Sequence, residues 1–240
     1  KTKIGSDLEI IPGNQKAKVR GIQTHGTETS SVKMGDRAAI NLAGTDLNEL
    51  YRGTVIVDPY WVNSTKKLIA HVTLIEDTRW KLKNRQRVHL HLGTAEVVAR
   101  AVMQDPLEAG QSGNALFYLE KPIAALMDER FIIRSLSPME TIGGCVVLDS
   151  NPIPIRKELK LWTTSLQESP SERIKQFVSQ YWKSPKSLGN WARHFQTTES
   201  QVKNWIKSEE IKNEKGFLFT SEKRDESMEF IRVVLTQFHK

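Results

Sequence analysis

The spacing of apolar residues changes once along this chain, and the change constrains the fold more than any other feature. Before about residue 152, short apolar runs alternate with polar residues and end at turn residues, as in Val88–Leu92 before Gly93. After residue 169 the apolar residues recur at intervals of three and four, which is a helical spacing; the first such set is Ile174, Phe177, Val178 and Tyr181. The chain is therefore predicted to be mainly β, then α.

The β part is predicted to contain two domains built from short strands. In the first, strands are expected at residues 7–11, 16–23 and 38–42; in the second, at 68–75, 88–93, 114–119 and 131–134. Short strands at this spacing, with no long amphipathic helix between them, favour a barrel or a sandwich. The two closely spaced prolines of Asn151-Pro152-Ile153-Pro154 are typical of an extended linker.

The α part begins with Ser169-Pro170-Ser171-Glu172, which has the pattern of a helix capping box. A second helix is predicted over 188–195, and a third after the capping box that starts at Thr198. A strand is expected at 217–219, after the Lys215-Gly216 turn. Three short helices followed by a hairpin are the winged-helix pattern. A fourth apolar-faced helix, ending near Phe238, is predicted to open another such module.

Composition limits the cellular environment and the class of partner that can be expected for this chain. Cys145 is the only cysteine, which excludes an internal disulfide framework and fits a reducing cytoplasm. No apolar run approaches the roughly 20 residues that cross a membrane, and the N-terminus lacks a signal-peptide core. The net charge of +7 divides into +2 over residues 1–155 and +5 over 156–240. Such a charge makes nucleic acid the leading partner class, although many basic proteins bind none.

Particular motifs resemble those of a known family. Gly35-Asp36-Arg37-Ala38-Ala39-Ile40-Asn41-Leu42-Ala43-Gly44, followed by Leu50-Tyr51-Arg52-Gly53-Thr54-Val55, resembles domain II of translational GTPases. Ile22-Gln23-Thr24-His25-Gly26, His89-Leu90-His91-Leu92-Gly93-Thr94-Ala95-Glu96 and Thr141-Ile142-Gly143-Gly144 are similar to the selenocysteine-specific branch. The chain as a whole resembles the back half of a bacterial selenocysteine-specific translation elongation factor.

The resemblance implies two translation-factor β-barrels followed by a winged helix. The implied segments are a partial domain II at 1–59, domain III at 60–152, a linker at 153–168, a winged-helix domain at 169–224 and the first helix of a further winged helix at 225–240. The first strands of domain II are expected to lie before residue 1.

The resemblance also implies a function in selenocysteine incorporation at UGA codons. The barrels are expected to bind selenocysteyl-tRNA at the ribosome. Winged helices beyond this chain are expected to hold the selenoprotein messenger-RNA hairpin. The chain has neither a Gly-x-x-x-x-Gly-Lys-Ser/Thr loop nor an Asn-Lys-x-Asp motif. It is therefore expected to be non-catalytic and without a cofactor, with GTP and Mg²⁺ bound by an N-terminal domain of the family.

Arg37 is the sharpest site prediction that the resemblance supports. In the family, an arginine after Gly-Asp lines the aminoacyl pocket and faces the selenolate. A selenol ionises more readily than the hydroxyl of serine, so a fixed cation can select selenocysteine. The alternative is a turn arginine paired with a nearby carboxylate, Asp36 or Glu49.

Two groups of cations are candidate RNA-backbone contacts. Five of them lie within nine residues, with Trp80 among them, and would share one face if the segment were a strand; otherwise the segment is a solvated loop. Four more border the third helix and the hairpin of the α part, where Glu199, Glu209, Glu210 and Glu214 dilute their charge. The nine candidates are Arg79, Lys81, Lys83, Arg85, Arg87, Lys203, Lys207, Lys212 and Lys215.

The sequence gives little indication of a metal site or of a catalytic nucleophile. His89 and His91 lie on one face of a strand but lack an evident third ligand, so a metal site is not predicted. Cys145 has no base beside it, and no nucleophile constellation can be argued. The main alternative function is a DNA-binding winged-helix regulator whose barrels bind an effector. A β-barrel enzyme acting on oligosaccharides or peptides is the third.

Overall fold

The computed structural model of the chain describes residues 1–46, 48, 50–153, 156–207 and 210–238, and the side chains of all of these except 156–157 and 237–238. It divides into two units, Lys1–Thr164 and Ser165–Lys240. The strands of the first unit are β1 Thr2–Lys3, β2 Asp7–Ile11, β3 Gln15–Thr24, β4 Thr27–Glu28, β5 Ser31–Val32, β6 Ala38–Ala43, β7 Val55–Val57, β8 Ser64–Leu74, β9 Arg87–Leu92, β10 Ala95–Val102, β11 Ser112–Ala124, β12 Arg130–Arg134 and β13 Thr141–Asp149. The remaining elements are α1 Arg156–Ser165, α2 Pro170–Gln180, α3 Leu188–His194, α4 Glu199–Trp205, β14 Ile211–Glu214, β15 Phe217–Thr220 and α5 Ser221–Phe238.

The first β domain is an open antiparallel sheet in the order β4-β3-β2-β7, with β6 also paired to β3 and a separate β1–β5 ribbon. Leu8, Val19, Ile22 and Val32 form its core. The prediction of a barrel here is not confirmed, because among the described residues the sheet has two edges. Its edges are β6, on one side of β3, and β7, beyond β2 on the other side; the short β4 also lies on the β2 side of β3. Closure requires the two edge strands to pair with each other, and within the described ranges β6 pairs with β3 and β7 with β2, not with one another.

The second β domain is a closed barrel in the order β10-β11-β8-β13-β12-β9. Alternate residues of each strand point inward, so that Leu68, Ala70, Val72 and Leu74 of β8 are all buried. The rings of Phe117 and Phe131 meet edge to face inside, with centroids 5.7 Å apart. The interior is filled with side chains, as in other small barrels, so a ligand of this domain has to bind on its outer surface.

The open sheet packs against the barrel within the first unit. Gly53 has a φ of +100°, and a Cβ at this position would lie 2.8 Å from the Cα of Ala95. Ile11 and Val62 form a further buried cluster with Ala124 of the barrel strand β11. A glycine is therefore required at position 53, where the chain before β7 lies against the barrel.

The predicted linker at 153–168 is wrong in one respect, since it contains helix α1. The closely spaced prolines suggested an extended segment, and Pro154 itself lies outside the described residues. Past them, Leu159 and Trp162 of α1 are buried three residues apart, which is a helical spacing. Trp162 donates a hydrogen bond of 2.8 Å from Nε1 to Oδ2 of the buried Asp149. The helix is thereby fixed to the end of β13.

The second unit contains α2, α3 and α4, followed by the β14–β15 hairpin and α5. In its core the ring of Phe177 packs edge to face against those of Trp191 and Phe195. The side chain of Thr198 caps α4 as predicted, accepting from the amide of Gln201. Ser169 precedes α2 but makes no side-chain cap. Three helices and a hairpin are thus present, while their assignment as a winged helix stays a prediction.

Helix α5 begins at Ser221 and so crosses the predicted boundary at 224. Its side chains include exposed apolar residues, among them Met228, Phe230 and Leu235. The side chain of Phe238, predicted to be part of its apolar face, lies outside the described residues. Of the helices in the described ranges, none is both long and apolar enough to cross a membrane.

Candidate functional site

Arg37 lies at the end of the β3–β6 ladder. Thr24 pairs with Ala38 as the last pair, so the residues just beyond them, His25 and Arg37, leave the two strands side by side. His25 has a φ of +50° and Gly26 a φ of +80°, the conformation of a two-residue turn that joins β3 to β4. The turn and the ladder together place His25 and Arg37 at the same end of the sheet.

An open cavity of about 410 Å³ is located at this point, lined by Gln23, His25, Gly26, Arg37, Ala38 and Ala39. Among the described residues that line it, the guanidinium of Arg37 is the one permanently charged group. Within the described ranges, the side chains of Gln23, His25 and Arg37 make no hydrogen bond or ion pair. Three polar side chains with unused hydrogen-bonding groups therefore border one cavity, the arrangement expected of a binding pocket.

The alternative in which Arg37 pairs with Asp36 is not observed. The Oδ2 atom of Asp36 instead accepts a hydrogen bond of 2.9 Å from the backbone amide of Lys33 and closes the preceding turn. Glu49, the other carboxylate considered for this pairing, lies outside the described residues.

Sequence reasoning did not assign Gln23 and His25 to the pocket, although both belong to the motif Ile22–Gly26 that was singled out for its resemblance. The missing information was the strand register.

The first cationic group lies mostly in the loop between β8 and β9, and only Arg87 is in a strand. The shared strand face is therefore absent. The loop is held by the bridge between Leu82 and Leu107, with Leu82 fully buried. An open cavity of about 590 Å³ borders this loop, lined by Arg79, Trp80, Lys81, Lys83, Asn84, Arg85 and Gln86.

Three of these five cations form ion pairs. Arg79 pairs with Glu140, Lys81 with Glu108, and Arg87 with Glu120. Glu140 also accepts a hydrogen bond of 2.7 Å from Nε1 of Trp80. The Trp80 bond first, and the Arg79 guanidinium second, hold the pKa of the Glu140 carboxyl below its usual range.

Lys83 and Arg85 have no ion pair within the described ranges. These two cations of the loop can bind a phosphate without first breaking an ion pair to a glutamate. The three paired cations can still take part, because exposed ion pairs of this kind are worth less than about 1 kcal/mol.

The second cationic group lies on α4, after it, and on the hairpin. Two of the glutamates expected to dilute its charge are paired elsewhere: Glu210 with Lys175 at 2.8 Å and Glu214 with Arg224 at 2.6 Å. Glu209 lies outside the described residues. In the described ranges, no ion pair involves any of the four candidates, Lys203, Lys207, Lys212 and Lys215.

His89 and His91 lie on the outer face of β9, where His91 is directly opposite Glu96 of β10 and His89 is two residues along the strand. Their Nδ1 atoms are 3.5 Å and 3.9 Å from its two carboxylate oxygens. Desolvation, with the nearby charges of Arg134 and Arg52, lowers the pKa of His91 although Glu96 opposes the shift. The described residues contain no group of three or more potential metal ligands. Burial raises the pKa of the Cys145 thiol well above its usual value, so it is not a ready nucleophile.

The barrel matches a known family. Residues 66–153 match the family model described as the β-barrel domain of the selenocysteine-specific elongation factor. The selenocysteine-specific elongation factor of Desulfomicrobium baculatum is 31% identical over 160 residues, which are 66% of this chain and 25% of that protein. The resemblance to selenocysteine-specific elongation factors is thereby confirmed.

Two archaeal proteins extend the similarity to this group of elongation factors. The selenocysteine-specific elongation factor of Methanocaldococcus jannaschii is 24% identical over 65% of this chain and 38% of its own length. The apo structure of the elongation factor SelB from Methanococcus maripaludis shares the fold, with a TM-score of 0.55, 24% identity, and coverage of 66% of this chain and 38% of that one.

This chain spans between a quarter and two fifths of the relatives' lengths. The interpretation as a DNA-binding regulator is not favoured, because the relatives are elongation factors.

Proposed function

We propose that this chain takes part in selenocysteine incorporation by holding selenocysteyl-tRNA, with the aminoacyl group in the cavity beside Arg37. The observation that carries the proposal is the guanidinium of Arg37, which borders a cavity of about 410 Å³ and makes no ion pair within the described ranges. It lies in the segment whose motifs resemble domain II of translational GTPases.

The selectivity for selenocysteine over serine is proposed to rest on the charge of the selenolate. The guanidinium stays protonated at any physiological pH and offers several donors to an anion. A selenolate in this cavity gains a charge-assisted hydrogen bond, whereas the neutral hydroxyl of serine gains a weaker one. Gln23 and His25 supply the other polar atoms of the lining and are proposed to orient the aminoacyl ester.

The RNA backbone is proposed to contact the two cationic groups. Lys83 and Arg85 would meet the tRNA with their charges already available, and the lysines of α4 and the hairpin would form a weaker RNA contact on the side of the messenger-RNA hairpin. GTP and Mg²⁺ are proposed to bind elsewhere in the longer factor, because these 240 residues contain neither nucleotide motif.

A binding titration at low salt tests the pocket. Selenocysteyl-tRNA and the same tRNA carrying serine are compared on the wild-type chain and on Arg37→Ala. We expect the wild type to prefer the selenocysteyl form, and Arg37→Ala to lose that preference by roughly tenfold, the size of one hydrogen bond to a charged group. Affinity for the seryl form should change little.

Arg20→Ala is the matched control. It removes an exposed arginine from β3 of the same sheet, at a distance along the strand from the cavity. If Arg37→Ala and Arg20→Ala weaken both tRNAs equally, the arginine contributes only general charge, and the pocket has to be abandoned.

A further inference from the structure

A second cavity, of about 250 Å³, lies on the outside of the barrel beneath helix α1. Its apolar lining includes Leu116 of β11 and Leu159 of α1, both buried. Polar side chains also line it: Asn84, Gln104 and Lys160. Of the described residues in this lining, none is an aspartate or a glutamate. A cleft with an apolar floor and a few neutral or cationic polar groups suits a flat, partly polar ligand that carries negative charge.

Tyr118 forms part of this lining and is 41% exposed. Its direct cross-strand neighbours are Arg100 on β10 and Lys67 on β8. Residues paired across strands point to the same face, so both cations stand beside the ring on the outer surface. In the described ranges, neither Arg100 nor Lys67 forms an ion pair.

Asn84 connects this cavity to the cationic loop, since it lines both cavities. Its Oδ1 atom accepts a hydrogen bond of 3.2 Å from the amide of Met103, which holds the loop against the end of β10. Lys83 and Arg85, the unpaired cations of the loop, are its immediate neighbours. A surface for phosphates and an aromatic cleft are thus adjacent.

We propose that this cavity receives the base of an unpaired nucleotide of RNA. The base stacks on the exposed ring of Tyr118, its polar edge meets Asn84 and Gln104, and the flanking phosphates lie on Arg100, Lys67 and the loop cations. An aromatic ring between cations is the arrangement by which proteins bind unstacked bases, whereas the bases of a regular duplex are not accessible. The inference rests on the proposed RNA partner but not on the Arg37 pocket.

Two RNA hairpins test the proposal, identical except that 2-aminopurine is bulged in one and paired in the other. We expect the wild-type chain to bind the bulged hairpin more tightly and to change the fluorescence of its 2-aminopurine. Tyr118→Ala should weaken binding of the bulged hairpin roughly tenfold and abolish the fluorescence change, because base–aromatic stacking is lost. Tyr118→Phe, which keeps the ring, should bind both hairpins as the wild type does.

Two control variants test whether the effect is specific to Tyr118 and whether it is independent of the aminoacyl pocket. Tyr60→Ala removes a tyrosine that is 74% exposed in another part of the unit, and it should leave both affinities unchanged. Arg37→Ala should do the same, since these hairpins carry no aminoacyl group, so this test can fail without the aminoacyl pocket failing. Equal affinities for the two hairpins, unaffected by Tyr118→Ala, would overturn the proposal and leave the cleft to a protein partner. Absence of RNA binding at low salt would overturn it as well.

Discussion

Gly143 and Gly144 are neighbours on β13, yet the space around them differs. A Cβ at Gly143 would lie 2.7 Å from the carbonyl oxygen of Thr73 on β8, too close for any side chain. A Cβ at Gly144 would meet nothing within 4 Å. The motif Thr141–Gly144 was singled out in the sequence as a family resemblance. The structure gives a packing reason for one of its two glycines.

Gly143→Ala is therefore expected to lower the free energy of unfolding by about 1–3 kcal/mol, because backbone of the barrel has to move. The matched variant Gly144→Ala should change it by less than about 0.5 kcal/mol. Urea unfolding followed by circular dichroism measures both. Equal effects of the two substitutions would contradict this account of the barrel packing.

Helix α1 is anchored to the outside of the barrel by polar contacts as well as by apolar ones. Nε1 of Trp162 donates to Oδ2 of Asp149, a carboxylate that is 2% exposed. Nδ2 of Asn114 on β11 donates to the carbonyl oxygen of Thr163 at 3.0 Å. The proposed nucleotide cleft has one wall on this helix and depends on these contacts.

Trp162→Phe is expected to cost about 1–3 kcal/mol of stability, because a buried carboxylate loses a donor while the aromatic ring remains. Leu161→Ala, in the same helix but 71% exposed, is the matched control and should have little effect. Thermal unfolding of the two variants distinguishes them. A Trp162→Phe variant as stable as the Leu161→Ala one would show that the hydrogen bond does not anchor the helix.

At the scale of the whole molecule, the chain divides into two units, and the second contains a buried histidine whose pKa is strongly lowered. In Ser165–Lys240, desolvation and the nearby Lys186 lower the pKa of His194 to about 3. The Nζ atom of Lys186 is 3.5 Å from Nδ1 of His194, so a protonated ring would face a second cation. Phe177 and Phe195 lie against the same ring, with centroids 5.0 and 5.4 Å away.

Acid is therefore expected to destabilise this unit. Below about pH 6.5 the unfolded chain protonates His194 and the folded one does not, so stability falls as the pH falls from there toward about 3. At about pH 5 the loss is expected to reach up to about 2 kcal/mol. Peptide-resolved hydrogen exchange in moderate urea, corrected for intrinsic rates, should show this loss of stability as faster exchange at pH 5 in residues 165–238.

His194→Leu, which cannot titrate, should remove most of this pH dependence, while exchange in the barrel stays the same. His25→Leu is the matched control, because His25 is exposed in the other unit. If His194→Leu keeps the full acid sensitivity, another group is responsible for it.

The sequence alone determined the change from β to α structure, the positions of several strands and helices, and the family that the barrel resembles. Alternation and helical spacing are local properties that depend on which residues face a core. That is why β2, β3 and β9 appear close to their predicted positions. The motif around Gly35-Asp36-Arg37 is also local, so Arg37 could be singled out without any structure.

Only the tertiary structure decided which residues meet. The register of β3 against β6 places Gln23 and His25 beside Arg37, and the packing of α1 on the barrel creates the cleft beside Tyr118. Ion pairing between distant residues leaves Lys83 and Arg85 available while Arg79 is held by Glu140. Closure of a sheet, pairing of charges and the walls of a cavity all depend on residues far apart along the chain, and local spacing carries no information about them.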